Sequence, residues 1–411
     1  MANIAIVGAG QGGLHLGIGL LQAGHQVTIL SNRTARQILD APITSSQSMY
    51  GMALELEREL GIDFWEDCSP QYSAASMRVG DGDGNLMLHW EGMMEQPGQS
   101  IDQRVKMPRW MAHFEELGGR LVIMDADIAT LEVLTLEHDL VIVASGKGEI
   151  GQLFTRDERR SPYRQPMRVL ALTYVKHFIP RDGPPAISIN INPGIGEFVT
   201  FPGLTLSGNC EIFTIECVPG GPMDCWSNVK TPQDHLELSE HLLRTYFPIE
   251  AQRIDGHLEL ADDLAVLRGR VTPTVKHPIA RLPSGRTVLG LGDVLVLNDP
   301  ITGQGSNNAS KGAKVYLDAI NSNSGSSFGA DWMHETFETY WDYARWAVDY
   351  TNMTLGQPPA HMLNILKAAE TSPGIARLMA NSFNDPKSIS PWYFEPEAAE
   401  SFLKEQVRTA A

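Results

Sequence analysis

The first apolar run is short and unbroken. Residues 3–8, NIAIVG, predict a buried strand. From Gly13 to about Ala23 the apolar spacing turns helical, Gly24 stops it, and residues 25–30, HQVTIL, predict a second strand. Two further apolar strands are predicted at 139–146, DLVIVASG, and 286–293, RTVLGLGD. Between about 165 and 280, the runs VLALTYVKHF, AISININ, EFVTFP and EIFTIECVP alternate with turns and predict a largely antiparallel sheet. A helical stretch at about 232–246 interrupts it. Residues 322–329, SNSGSSFG, read as a flexible link, and the remaining chain reads as helical. Its aromatic stripe, FETYWDYARWAVDY, suits a core face or a dimer face, which leaves a homodimer open.

The first two strands and their helix enclose Gly8-Ala-Gly10-Gln-Gly-Gly13. This GxGxxG sits inside a βαβ unit, the context that gives the motif its meaning. Gly8 permits the tight turn, Gly10 lets the backbone approach a pyrophosphate, and Gly13 lets helix and strand pack closely. Gly17, one turn on, extends that packing face. The helix N-terminus offers free N–H groups to a diphosphate. Gly8, Gly10, Gln11 and Gly13 are therefore candidate cofactor contacts. The acidic residue expected at the end of the second strand is missing, and Ser31-Asn32-Arg33 stands there. Asn32 could still bond a ribose, and Arg33 could meet a phosphate. FAD, NAD and NADP all remain open at this point.

Composition narrows the field. The 411 residues carry 49 acidic and 32 basic side chains, a formal charge of −17. Such a field repels nucleic acid and anionic membranes. Cys68, Cys210, Cys217 and Cys225 form no CxxC pair and no zinc spacing, so reduced thiols are expected. Residues 4–21 are apolar, but six glycines interrupt them and no basic residue precedes them. A soluble, cytoplasmic protein without a membrane span is the expectation. His15 reads as packed structure. His235 and His241 do not share a helix face, so no metal is expected.

Two distal segments favour FAD. Ser145 and Gly146 end the 139–146 strand with small residues that let the chain pass over a dinucleotide. Gly292-Asp293 ends the 286–293 strand, where Asp293 suits a ribityl hydroxyl. Pro300-Ile-Thr-Gly303-Gln304-Gly305-Ser-Asn307-Asn308 then opens a helix running to about Asn321. A helix N-terminus aimed at the N1/C2=O edge of a flavin stabilises its anionic reduced form. NAD enzymes have no need of this late pair of motifs.

Together, VGAGQGGLHLGIGL, the DQR of 102–104, DLVIVASGKG and LGLGDVLVLNDPITGQGSNNAS resemble the para-hydroxybenzoate-hydroxylase superfamily of FAD monooxygenases. More narrowly, the chain resembles the oxygenase component of two-component styrene/indole monooxygenases. That resemblance implies FAD supplied reduced by a separate NADH-dependent flavin reductase. It implies oxygen addition to give a C4a-hydroperoxyflavin, and epoxidation of an aryl alkene, indole (leading to indigo) or styrene. Such chemistry needs an apolar, dry pocket and no acid–base pair on the alkene. Gly146-Lys-Gly148-Glu-Ile-Gly151 imitates a second dinucleotide motif, but the polar QLFTRDERRSPY after it cannot complete one.

The resemblance also assigns site residues. Residues 43–49, ITSSQSM, would be a strand beside the flavin ring, with Ser45, Gln47 and Met49 on one face by period-2 geometry. This pattern is similar to the indole-preferring branch, and Ser45 or Gln47 could bond an indole N–H. Tyr72 and Ala75 complete the substrate set. Pro300, Ile301, Thr302 and Gly303 would line the floor near C4a. Arg104 would contact the FAD phosphates or flavin edge, and Ala126 would lie near the adenine.

The expected fold is thus α/β: a Rossmann-type FAD-binding domain, a mostly antiparallel substrate sheet and C-terminal helices. The FAD domain would be discontinuous (1–50, 97–165 and 280–325), with 51–96 and 166–279 as substrate domain and 326–411 as a helical region. Two rival readings stand beside this one: a single-component NAD(P)H-dependent aromatic hydroxylase, and a non-catalytic dinucleotide-binding redox module. A flavin halogenase would carry Trp-x-Trp-x-Ile-Pro, which is missing.

Overall fold

The computed structural model describes every residue except Lys147, Ser324, Ser326 and Ala411. The link predicted at 322–329 therefore lies partly outside the described residues. Two large sheets organise the rest. The first has the spatial order Ile279–Arg281, Thr287–Gly290, Leu140–Val143, Asn3–Val7, Gln26–Ser31, Arg120–Ile123. All its neighbours are parallel except the first pair, so the loops after its central strands gather at one edge.

The N-terminal helix, Gln11–Gln22, is buried from Gln11 to Leu20. It lies against the sheet through Leu14, Leu16 and Ile18, and its other side is covered by the helix Gln304–Ser322. That double cover explains why its sequence is apolar almost all round.

The second sheet runs Ile254–Leu260, Val169–Phe178, Gly208–Cys217, Gly196–Thr205, Ala186–Asn192, Gln71–Gly80, Leu86–Ser100, Ser48–Met49, with Val266–Gly269 also paired to Val169–Phe178. It is antiparallel except where Gln71–Gly80 meets Ala186–Asn192. The helix Pro232–Tyr246 packs on it through Leu236, Leu242 and Leu243. A capping box between Thr231 and Asp234 starts that helix where the sequence predicts it.

Two elements pack across the expected domain boundaries. The helix Gly51–Glu59 belongs with the dinucleotide unit, because Glu57 bonds Gln11 and Lys106 and Ile62 joins the first core. The C-terminal helices are not a separate region. Phe337, Tyr340 and Ala344 of Ala330–Leu355 pack into the first core. Ile365, Met379 and Tyr393 pack with Tyr72, Trp90 and Tyr174 of the second. The aromatic stripe is thus largely core: Phe337, Tyr340 and Tyr350 are buried.

Candidate functional site

The three motif glycines meet different surroundings. Gly8 has φ +124°, and a Cβ there would lie 2.8 Å from the carbonyl of Ala144. A Cβ on Gly13 would strike Gly8 O at 1.9 Å. A Cβ on Gly10, by contrast, would meet nothing within 4 Å. Gly10 caps the helix with extended backbone and no side-chain acceptor, and no acidic residue enters the first turn. The loop therefore combines tight packing behind with an open, electropositive face in front. Gly17 packs against Ile29, where a Cβ would lie 2.6 Å from its Cδ1.

Three stretches far apart in sequence converge here. Gly8 abuts Ala144 and Ser145. Leu291 N donates to Val143 O at 2.8 Å, and a Cβ on Gly146 would sit 3.5 Å from Val294 N. Gly12 faces Ala309, and Gln11 Nε2 donates to Ser310 Oγ at 2.9 Å. Asp293 follows the strand in a 3-10 turn, Gly292–Val294, and is exposed.

The late segment is a turn-then-helix. Asp299 accepts from Ile301 N and starts the 3-10 turn Pro300–Thr302. Gly303, at φ +65°, reverses into Gln304–Ser322 with no side-chain cap. Asn307 holds the entry: its Oδ1 accepts from Tyr50 N at 2.8 Å, and its Nδ2 donates to Ser48 O and Gly303 O. Thr302 Oγ1 meets Thr351 Oγ1, and Gln304 Nε2 donates to Phe383 O. Asn308 differs. It is 1% exposed, yet both its side-chain polar atoms lack a partner. A Cβ on Gly305 would meet open space.

The 43–49 segment departs from expectation. Only Ser48–Met49 is strand, and Gln47 sits at φ +51°, so period-2 alternation does not apply. Ser45 and Gln47 nevertheless meet. Gln47 Nε2 donates to Ser45 Oγ at 3.0 Å and to Ser306 Oγ at 2.9 Å, while its Oε1 is buried without a partner. Met49 does not join them. Its side chain packs with Ala53 and Leu54. Tyr72 is fully buried, shares a 2.6 Å hydrogen bond with Ser48 Oγ, and stacks obliquely on Phe201. Burial holds its phenol protonated, well above the ordinary tyrosine range. Ala75 is buried in the same core.

Arg104 is held by protein partners, which the expected phosphate contact did not foresee. Its guanidinium is 2% exposed and clamped by Asp102 at 2.7 and 2.9 Å, by Asp262 at 2.8 and 2.9 Å, and by Thr205 Oγ1. At most one of its five N–H groups is left over. The clamp ties the Gln103–Glu116 helix to the second sheet. Asn32 and Arg33 lie at the C-terminal edge of the first sheet, where Ser31 Oγ bonds the Arg33 backbone. Ala126 follows the neighbouring strand, whose register puts Ile123 opposite Ser31. These three share one edge with the glycine loop.

Sequence reasoning missed Ser48, Tyr50 and Ser306, which bond the predicted residues. It also missed Glu57 and Lys106, a buried ion pair behind the loop. Asp102, adjacent to Arg104, was the one local signal for the clamp. Among the described residues, no group of three or more His, Cys, Asp or Glu could hold a metal, and no helix is long and apolar enough to cross a membrane.

Residues 146–253 match the family model "Styrene monooxygenase A putative substrate binding domain". Over its whole length the chain is 28% identical to styrene monooxygenase StyA of Pseudomonas fluorescens, covering 99% of that protein. It is also 28% identical to StyA of a Pseudomonas sp, covering 96% of each. The chain is a relative of the styrene monooxygenases. Its fold is shared with solved flavin-dependent enzymes. A flavoprotein/dehydrogenase from Cytophaga hutchinsonii superposes with TM-score 0.69 at 13% identity, over 98% of this chain and 100% of that one. The flavin-dependent brominase Bmp2 superposes with TM-score 0.65 at 14% identity, over 99% of each chain. As a relative of StyA over its full length, the chain takes its place among flavin-dependent monooxygenases.

A flavin dinucleotide fits the residues present. The open cradle at Gly10 suits a pyrophosphate, and the open space at Gly305 suits a flat ring against the backbone of the late helix. The unpartnered amide of Asn308 and the unpartnered Oε1 of Gln47 are buried polar atoms that a ligand's donors and acceptors would satisfy.

Proposed function

We propose that this chain is the oxygenase of a two-component system, that it binds FAD delivered reduced by a separate reductase, and that it epoxidises an aryl alkene. The carrying observation is the meeting of the glycine loop, the 140–146 stretch and the 292–308 segment around one open face. Gly10 and the first turn of Gln11–Gln22 would hold the pyrophosphate. Asp293, Asn32 and Arg33 would serve the ribityl and ribose ends, and Ala126 the adenine. Gly303, Gly305 and Asn308 would face the ring. Bound there, the reduced flavin would supply two electrons and activate oxygen.

The chain's own residues do the rest. Tyr50 Oη donates to Thr302 O and packs beside Gly303, which holds the Pro300–Thr302 turn. Ser48 Oγ and Tyr72 Oη share one hydrogen bond and Tyr72 Oη also donates to Met49 O, so both hydroxyl protons are engaged within the protein. Gln47 Oε1 is a buried acceptor without a protein donor. An indole N–H would satisfy it, which favours indole over styrene. The test supplies the full chain with FAD, a reductant, air and indole or styrene. Indigo or styrene oxide supports the reading. Stoichiometric hydrogen peroxide with neither product overturns it. Rapid NADH oxidation by the chain alone would favour a single-component hydroxylase instead.

A further inference from the structure

Directly behind the Pro300–Thr302 turn lies an excess of buried carboxyls. Glu197 and Glu216 are paired across adjacent strands, so their side chains share one face of the second sheet. Asp299 approaches the same place from the turn. Exposures are 6% for Glu197 and 0% for Glu216 and Asp299. Arg168 is the cation beside them, and its hydrogen bonds go elsewhere than Glu216 and Asp299. Arg168 spends two N–H groups on Glu197, both at 2.8 Å, and others on the carbonyls of Met167 and Leu355. Both oxygens of Glu216 and Oδ2 of Asp299 have no protein donor, although Glu216 and Asp299 lie within hydrogen-bonding reach of each other. Tyr163 is the other titratable group near Asp299 and Arg168. Two carboxylates cannot both stay ionised there without a donor between them.

We propose that Glu216 and Asp299 share a proton and that this carboxyl pair positions the 300–303 turn. Glu216 carries the proton and donates it to Asp299 Oδ2. Asp299 Oδ1 then accepts from Ile301 N and holds the turn. Burial, then the Asp299 charge, pushes Glu216 well above the carboxylate range. Asp299 is raised less, since the Glu216 proton and Ile301 N–H both favour its charge. Losing the shared proton sets two like charges against each other and frees the turn. Both residues are positioning residues. Their effect on flavin binding rests on the function proposed above, whereas the shared proton does not.

The experiment has two arms. Infrared spectra of the full chain, unlabelled and with 13C-glutamate, are recorded near neutral pH in H2O and D2O. A protonated-carboxyl stretch that moves with both isotopes, and vanishes in Glu216→Gln, is expected. If every glutamate absorbs as carboxylate in the wild-type chain, the shared proton is overturned. In the second arm, FAD binding is titrated by flavin fluorescence across the pH range. Wild-type affinity should fall as pH rises through the pair, by at most about tenfold per pH unit for one linked proton. Glu216→Gln, whose amide still donates, should keep the low-pH affinity and lose the pH dependence. Glu216→Ala should bind weakly throughout. Equal behaviour of the Gln and Ala variants overturns the positioning role. Absence of FAD binding at every pH removes both that role and the flavin reading, while the infrared arm still decides the proton.

Discussion

Gln11 and Ser310 touch across 299 positions of sequence, Nε2 to Oγ at 2.9 Å. The same Gln11 nitrogen donates to Glu57 Oε1 at 2.8 Å, and Glu57 accepts from Lys106 Nζ at 2.5 Å. Four helices are thereby tied behind the glycine loop. Lys106 is 1% exposed, and burial pulls its pKa below the ordinary lysine value despite Glu57. Glu57→Ala strands that buried ammonium. It should cost about 3–5 kcal/mol of stability, measured by urea unfolding of the full chain.

Two alanine substitutions in one loop should fail differently. Gly13→Ala places a methyl 1.9 Å from Gly8 O and should lower the melting temperature sharply or prevent folding. Gly10→Ala meets no protein atom within 4 Å. Its fold should survive by circular dichroism, while FAD affinity drops tenfold or more, roughly the 1.4 kcal/mol of one lost close contact. Unchanged affinity would remove the pyrophosphate from this loop.

Arg104 should report on stability. Arg104→Lys cannot span both Asp102 and Asp262 as a fork does. Thermal unfolding should show a loss of about 3–5 kcal/mol. The folded fraction should bind FAD with wild-type affinity, a result that a phosphate-binding arginine would not produce.

Gln47 should control substrate choice. Removing its amide in Gln47→Ala deletes the free Oε1 acceptor and releases Ser45 and Ser306. The kcat/KM for indole should fall about threefold to tenfold relative to styrene, the range of one hydrogen bond. Parallel assays with both substrates check the ratio.

His15 makes folding sensitive to acid. It is 1% exposed, and burial, with Lys106 beside it, lowers its pKa to about 3. Unfolded, it returns to the ordinary histidine value of 6.5. Between those values the unfolded chain binds the extra proton, so stability is present above 6.5 and falls as pH drops toward 3. In His15→Gln, urea midpoints should lose part of that slope, at most about 1.4 kcal/mol per pH unit for one proton.

The sequence by itself determined the dinucleotide unit, the antiparallel middle sheet and the late helix entry. Their signals are local: glycines at fixed short spacing, apolar runs, and a Gly303 whose left-handed φ favours glycine. Tertiary structure alone decided the rest. Gln47 is left-handed and bonded to Ser306, 259 positions away, so no period in 43–49 could reveal its direction. Arg104 found Asp262 across 158 positions, and Asp299 found Glu216 only after the second sheet closed behind the turn. Short-range spacing encodes backbone shape. Which charges meet in a buried place depends on how distant elements pack, and the chain's order carries no record of that distance.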